Sequence, residues 1–247
     1  MARRFSYLLP VDWWRIPLIN EQSRAANIEH MVDHYVRKID ETAQLRHDLR
    51  QMLNDSAEDA VQLGGLVMAL YMNKIGDVPV TATMTCYDIS AIMALPEELD
   101  PAKILAMYVG DQALDESLPD LLEAFESAKV PLGIPEATEV QALPPRPQTE
   151  EIPWDKVTDF DIVAYRRTTI SPGTDFFSED APKTQQLHVT YMQAVKDFGL
   201  VQTVFSTPLI QAKDAWITMF DAMVAGFRAG APDDANSTDS SEIGNEV

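Results

Sequence analysis

Cysteine is nearly absent: Cys86 is the only one in 247 residues, so no disulfide can form within the chain. Glycine is sparse, with ten residues. None of the glycine signatures is present: no G-x-G-x-x-G, no phosphate-binding loop and no G-x-S-x-G elbow. No apolar run approaches the roughly 20 residues of a membrane-spanning helix. Bases are scarce, 19 Lys and Arg against 39 Asp and Glu, for a formal net charge of -20. That balance argues against a nucleic-acid partner and against an anionic membrane surface, because both need clustered cations. The opening Met1-Ala2-Arg3-Arg4 has the charge of a leader, but the stretch after it is interrupted by Pro10, Asp12, Arg15 and Pro17. With no small-residue cleavage site, and no cysteine near the start to carry a lipid, the expectation is a cytoplasmic protein.

What is present is enough apolar material, 46% of residues, to bury a sizeable core. Arg4–Leu8 and Trp13–Ile16 read as short extended pieces separated at Pro10. Adjacent tryptophans on a strand point to opposite faces, so Trp13 and Trp14 need separate covers. Asn20 or Ser23 can cap a helix in which Ile28, Met31, Val32, Tyr35 and Ile39 recur at helical spacing. A second helical run from Leu45 to Val61 follows a break at Asp40-Glu41-Thr42 and ends at Gly64-Gly65. Residues 21–63 thus form a helical insert. Leu66–Met72 and the alternating Val80–Tyr87 read as a hairpin with a longer loop over Asn73–Pro79.

Residues 89–158 are less regular. Asp100-Pro101 opens a helix over Ala102–Val109. A further helix is expected over Leu118–Ala128, and a short strand near Thr138–Ala142. The segment also holds prolines at 131, 135, 144, 145, 147 and 153, and 144–148 reads as an extended surface loop. Phe160–Thr169 is a strand. Leu187–Val195, the turn Lys196–Gly199 and Leu200–Pro208 form a second hairpin, expected at a sheet edge. The closing helix carries one apolar stripe, Trp216, Met219, Phe220, Met223, Val224 and Phe227, that should lie on the sheet. From Ala229 the chain has five acids and no base. Residues 229–247 therefore read as a disordered acidic tail after one domain over 1–228. The fold class expected is α+β, an antiparallel sheet of about six to seven strands between helical layers.

Residues that could carry chemistry are few. His30 and His34 lie at i, i+4 in the order H-M-V-D-H, not the H-E-x-x-H of zinc proteases, and on the side of the helix away from its apolar stripe. They read as solvent-exposed. Cys86 falls on the apolar parity of its strand, as a buried inert thiol. Arg166 and Arg167 are strand neighbours facing opposite ways, and one is expected to pair with a carboxylate of the helical layer. No two carboxylates stand out as an acid–base pair. No catalytic, metal or cofactor residue is assigned, and no cofactor is expected.

The two ends carry a resemblance. The opening with Phe5, Pro10, Trp13 and Ile16, the strand ending Phe205-Ser206-Thr207-Pro208, the helix with Phe220-Asp221-Ala222 and the closing Phe227-Arg228 resemble an actinobacterial family of unassigned activity, similar to the Mog1/PsbP-like α/β/α sandwiches. Some of its members are linked to type VII secretion. The resemblance covers both ends and 24–88, and it implies the N-terminal helices on one sheet face and the closing helix on the other. It also implies a non-enzymatic habit: a protein-binding or accessory module with a protein partner. The alternative is a small-molecule binder or enzyme with a site assembled from scattered residues.

Overall fold

The structure is a computed structural model that describes residues 4–6, 8–75, 78–92, 100–110, 153–157, 163–172, 185–195 and 198–230. The expected helix at 118–128, the strand at 138–142, the proline-rich 144–148 and the tail from 231 lie outside the described residues. Seven strands form one antiparallel sheet in the order β2-β3-β4-β8-β7-β6-β5. They are β2 (Trp13–Pro17), β3 (Gly65–Ile75), β4 (Val78–Asp88), β5 (Asp155–Val157), β6 (Val163–Pro172), β7 (Gln185–Val195) and β8 (Gly199–Thr207). The α+β expectation holds, with the strand count at its upper bound.

The helices form where apolar spacing and caps agree. In α1 (Glu21–Tyr35) the Asn20 side chain accepts a hydrogen bond from the Ser23 N–H at 2.9 Å, satisfying one of the orphan donors of the first turn. A 3₁₀ turn at Asp40–Thr42 marks the expected break before α2 (Ala43–Gln62). Gly64, with φ +71°, lets the chain reverse directly into β3. A short α3 (Ile89–Ile92) follows β4, and α4 (Pro101–Val109) starts at Asp100, whose carboxylate accepts from the Ala102 N–H. The last helix, α5 (Lys213–Ala225), crosses the sheet.

Strand alternation divides the sheet into two faces. On one, Trp13, Met84, Cys86, Tyr191 and Phe205 meet Trp216, Phe220 and Met223 of α5. The Phe205 and Phe220 rings are stacked at 4.2 Å and 16°. On the other, Ile16 and Met68 are covered by Ile28, Met31 and Val32 of α1 and by Leu53, Ala57 and Ala60 of α2. This is the division of helices that the resemblance implies, with one addition. Helix α4 lies on the same face as α1 and α2, packing Ile104 and Leu105 on Tyr165, Met192 and Leu200.

Several expectations need correction. The β7–β8 hairpin is central rather than at an edge, because β4 pairs with β8 and β6 with β7. The first hairpin has no long loop: the β3–β4 ladder runs on until Ile75 faces Val78, since Asn73–Ile75 and Val78–Pro79 still extend as strand despite their turn-like sequence. The N-terminal strand, β1 (Arg4–Ser6), stands apart from the main sheet and pairs with β9 (Arg228–Gly230). The first residues of the expected tail are therefore strand. β5 has no counterpart in the sequence reading; at three residues it is too short to show alternation.

Candidate functional site

The α5 face is closed by a polar tie. Asp221 of α5 accepts from Arg166 Nη1 at 2.7 Å and from the Tyr191 hydroxyl at 2.6 Å, and Arg166 also lies 3.8 Å from Asp155. Burial, and then the hydrogen bond to Asp221, push the Tyr191 pKa far above the usual phenol range, so Tyr191 remains a neutral donor. This is the expected arginine–carboxylate pair, and it locks α5 across β6 and β7. Deeper on this face, Thr203 donates to Gln193 at 2.9 Å, both fully buried.

Cys86 is a fully buried thiol in the same core. The two tryptophans part as strand geometry requires. Trp13 enters the α5 core, edge-on to Phe205 and Phe220. Trp14 faces the α1 side, where His30 at 5.2 Å, His34 at 5.7 Å and Tyr35 at 6.4 Å surround it. Both histidines are exposed, as expected, but their rings serve as the cover that Trp14 needs. No group of three metal-capable side chains occurs among the described residues.

Between α1 and α2 a second tie forms. Asp33 receives Arg46 and Arg50, each at 3.1 Å, and pairs with Lys38. The Lys38 hydrogen bond, aided by the charges of Lys38, Arg46 and Arg50, holds its carboxyl below the usual range against the opposing effect of burial. These contacts explain cohesion, not activity.

The face carrying α1, α2 and α4 is covered by helices at its two sides, and among the described residues no helix packs on the strip between them. Across four adjacent strands the register sets Thr83, Ser206, His188 and Thr169 in one row. Thr85, Val204, Thr190 and Arg167 form the next. None of the eight is buried, and Thr83 is exposed. Met68 and Leu70 on β3, beside these rows, belong to the α1–α2 cluster. Tyr165 and Met192, one row further toward the β7–β8 turn, belong to the α4 cluster.

Within the strip, Ser206 Oγ lies 2.7 Å from Thr83 Oγ1 and accepts from Gln186 Nε2 at 3.1 Å. Ser206 faces His188 across the β7–β8 ladder, and no hydrogen bond joins the two side chains. Burial lowers the His188 pKa below its usual 6.5, so the imidazole is neutral at pH 7. Arg167 closes the strip at its outer side, its guanidinium 4.7 Å above the Trp154 ring.

The strip escapes sequence reading. Its residues are ordinary strand threonines and serines, and only the pairing order of β4, β8, β7 and β6 aligns them. Arg167 alone gave a signal, as one of the Arg166–Arg167 pair of strand neighbours, with no choice made between the two. No family model, curated protein or solved structure matches the chain.

Proposed function

We propose that this chain is a non-enzymatic protein-binding or accessory module of the cytoplasm, and that it engages its partner through the strip Thr83–Ser206–His188–Thr169 and Thr85–Val204–Thr190–Arg167. The observation that carries the reading is the two-row, mostly polar surface, four strands wide and at least partly exposed, on which no helix packs among the described residues, between two helix-covered parts of one sheet face. A rigid sheet presents such side chains at fixed spacing, about 4.8 Å from strand to strand, and little conformational freedom is lost when a partner docks on it. The resemblance at the two termini supplies the setting we propose, an accessory role in type VII secretion.

A photo-crosslinking residue at Thr83, introduced into the full chain in its native host, tests this. The reading expects a discrete protein adduct at Thr83 and none from the same residue at Glu58, an exposed position of α2. No adduct at Thr83, or equal adducts at both positions, overturns it.

A further inference from the structure

At the outer end of the strip, Arg167 has no acidic partner among the described residues. Arg46, Arg50 and Arg166 are each in ion pairs. Among the described residues no carboxylate lies within ion-pair distance of Arg167, whose recorded contact is the Trp154 ring. Arg24 likewise has no carboxylate partner among the described residues, but it is buried and donates to the Leu18 carbonyl at 3.2 Å; Arg167 is half-buried, in a chain of net charge -20.

Local structure accounts for its pose. The β5–β6 ladder pairs Asp155 with Arg166, so one step further along the same antiparallel register Trp154 stands opposite Arg167. Pro153, which precedes it, has no N–H to extend the ladder. Trp154 is in turn braced by Tyr108 at the end of α4, with ring centroids 6.4 Å apart. The Trp154 ring under Cζ helps hold the guanidinium in place, and among the described residues no hydrogen bond engages its N–H donors, which in Arg suit bidentate carboxylate recognition.

The neighbours extend the donor set inward. Thr190 is directly across β7 from Arg167, and Thr169 and His188 form the adjoining pair. None of the three has a side-chain hydrogen bond to another described residue. From Arg167 to Thr85 the row crosses three strand spacings, about 14 Å, the reach of about four residues of extended chain.

We infer that the strip recognises an extended acidic peptide segment of the partner, with a carboxylate of that segment seated on the Trp154-stacked Arg167 and its backbone or polar side chains hydrogen-bonded along the Thr190, Thr169 and His188 positions. This rests on the reading of the strip as the binding face, and it names the chemistry of what binds there. The rest of the acidic surface repels an acidic peptide over long range, so binding of one marks a site.

The test titrates the full-length chain, with ¹⁵N-labelled arginine, with blocked hexaglutamate, blocked hexaglutamine or inorganic phosphate. Hexaglutamate is expected to shift the Arg167 Nε–H resonance selectively. Arg167→Gln should weaken binding about tenfold or more, the scale of a lost charge-assisted hydrogen bond, and Arg167→Lys, which keeps charge and stem, by several-fold. An unchanged unfolding midpoint shows that each variant is folded. Hexaglutamine binding as well as hexaglutamate, or full affinity in Arg167→Gln, overturns the inference. Phosphate that binds more tightly than hexaglutamate and displaces it also overturns it, by assigning the site to a free anion. If Thr83→Tyr abolishes the partner adduct, read from a crosslinker at Thr169, while Arg167→Gln leaves it intact, the strip stands as the interface and acidic recognition falls.

Discussion

Phe220→Ala is the perturbation that most directly tests how α5 is held. The Phe220 side chain is fully buried. It stacks on Phe205 at 4.2 Å, lies 5.4 Å from Trp216 and meets Trp13 edge-on at 6.5 Å. Truncation forfeits the transfer free energy of the ring, about 1.5–3 kcal/mol, and leaves a cavity. One wall of that cavity is a hydrogen-bonded sheet that cannot move in to fill it, so the cavity contribution should be near its maximum. Lost ring–ring contacts add to this. The total expected is about 3–5 kcal/mol. Urea unfolding followed by tryptophan fluorescence suits the question, since two of the chain's four tryptophans, Trp13 and Trp216, contact the deleted ring. The midpoint should fall with the slope unchanged. A loss below about 1 kcal/mol at equal slope would mean that α5 is not a tightly packed cover and that this core collapses freely around the gap.

Three other outcomes follow from the geometry. Asp221→Ala strands the Arg166 guanidinium and the Tyr191 hydroxyl together, and should cost about 2–3 kcal/mol in chemical denaturation after allowance for partial exposure. Asp155→Ala, which removes an exposed partner at 3.8 Å, should cost almost nothing, and equal losses in the two would refute the assignment of the tie to Asp221. Gly65→Ala places a methyl 2.6 Å from the Ala60 carbonyl oxygen and 2.7 Å from Leu18 Cδ1; an overpacking loss of about 1–3 kcal/mol is expected, and wild-type stability would show that the α2–β3 turn shifts without cost. His188 has its pKa lowered by burial, so as pH falls below 6.5 the unfolded chain binds a proton before the folded protein does, and the stability held above 6.5 declines until the folded imidazole also titrates. Comparing unfolding at about pH 7.5 and about pH 5.5, His188→Gln should remove part of that decline; an identical decline in the variant would refute the burial argument.

Much of the fold was legible because it rests on local periodicity. Val80, Ala82, Met84 and Cys86 alternate with threonines, and that pattern placed the cysteine in the core. The Asn20 and Asp100 caps and the Trp216–Phe220–Val224 stripe were visible for the same reason. What failed to show were features set by non-local pairing. β1 and β9 are three residues each and lie at opposite ends of the chain, β5 is as short, and the central place of β7–β8 depends on which strands they find. His30 and His34 were correctly read as exposed from the helical wheel. Their packing on Trp14 could not be seen, since it joins two elements that only the fold brings together.

The sequence by itself determined that this chain has a thiol it cannot bridge, a strongly acidic surface, an antiparallel sheet and helices with apolar stripes. Each of those is a matter of composition or of a repeat of two or 3.6 residues. Only the tertiary structure decided that Asp221 answers Arg166 while Arg167 has no acidic partner among the described residues, and that eight unremarkable strand residues share one partly exposed surface. Side chains on neighbouring strands are brought to within about 5 Å by pairing order and register, and these are long-range choices that no local stretch of sequence encodes.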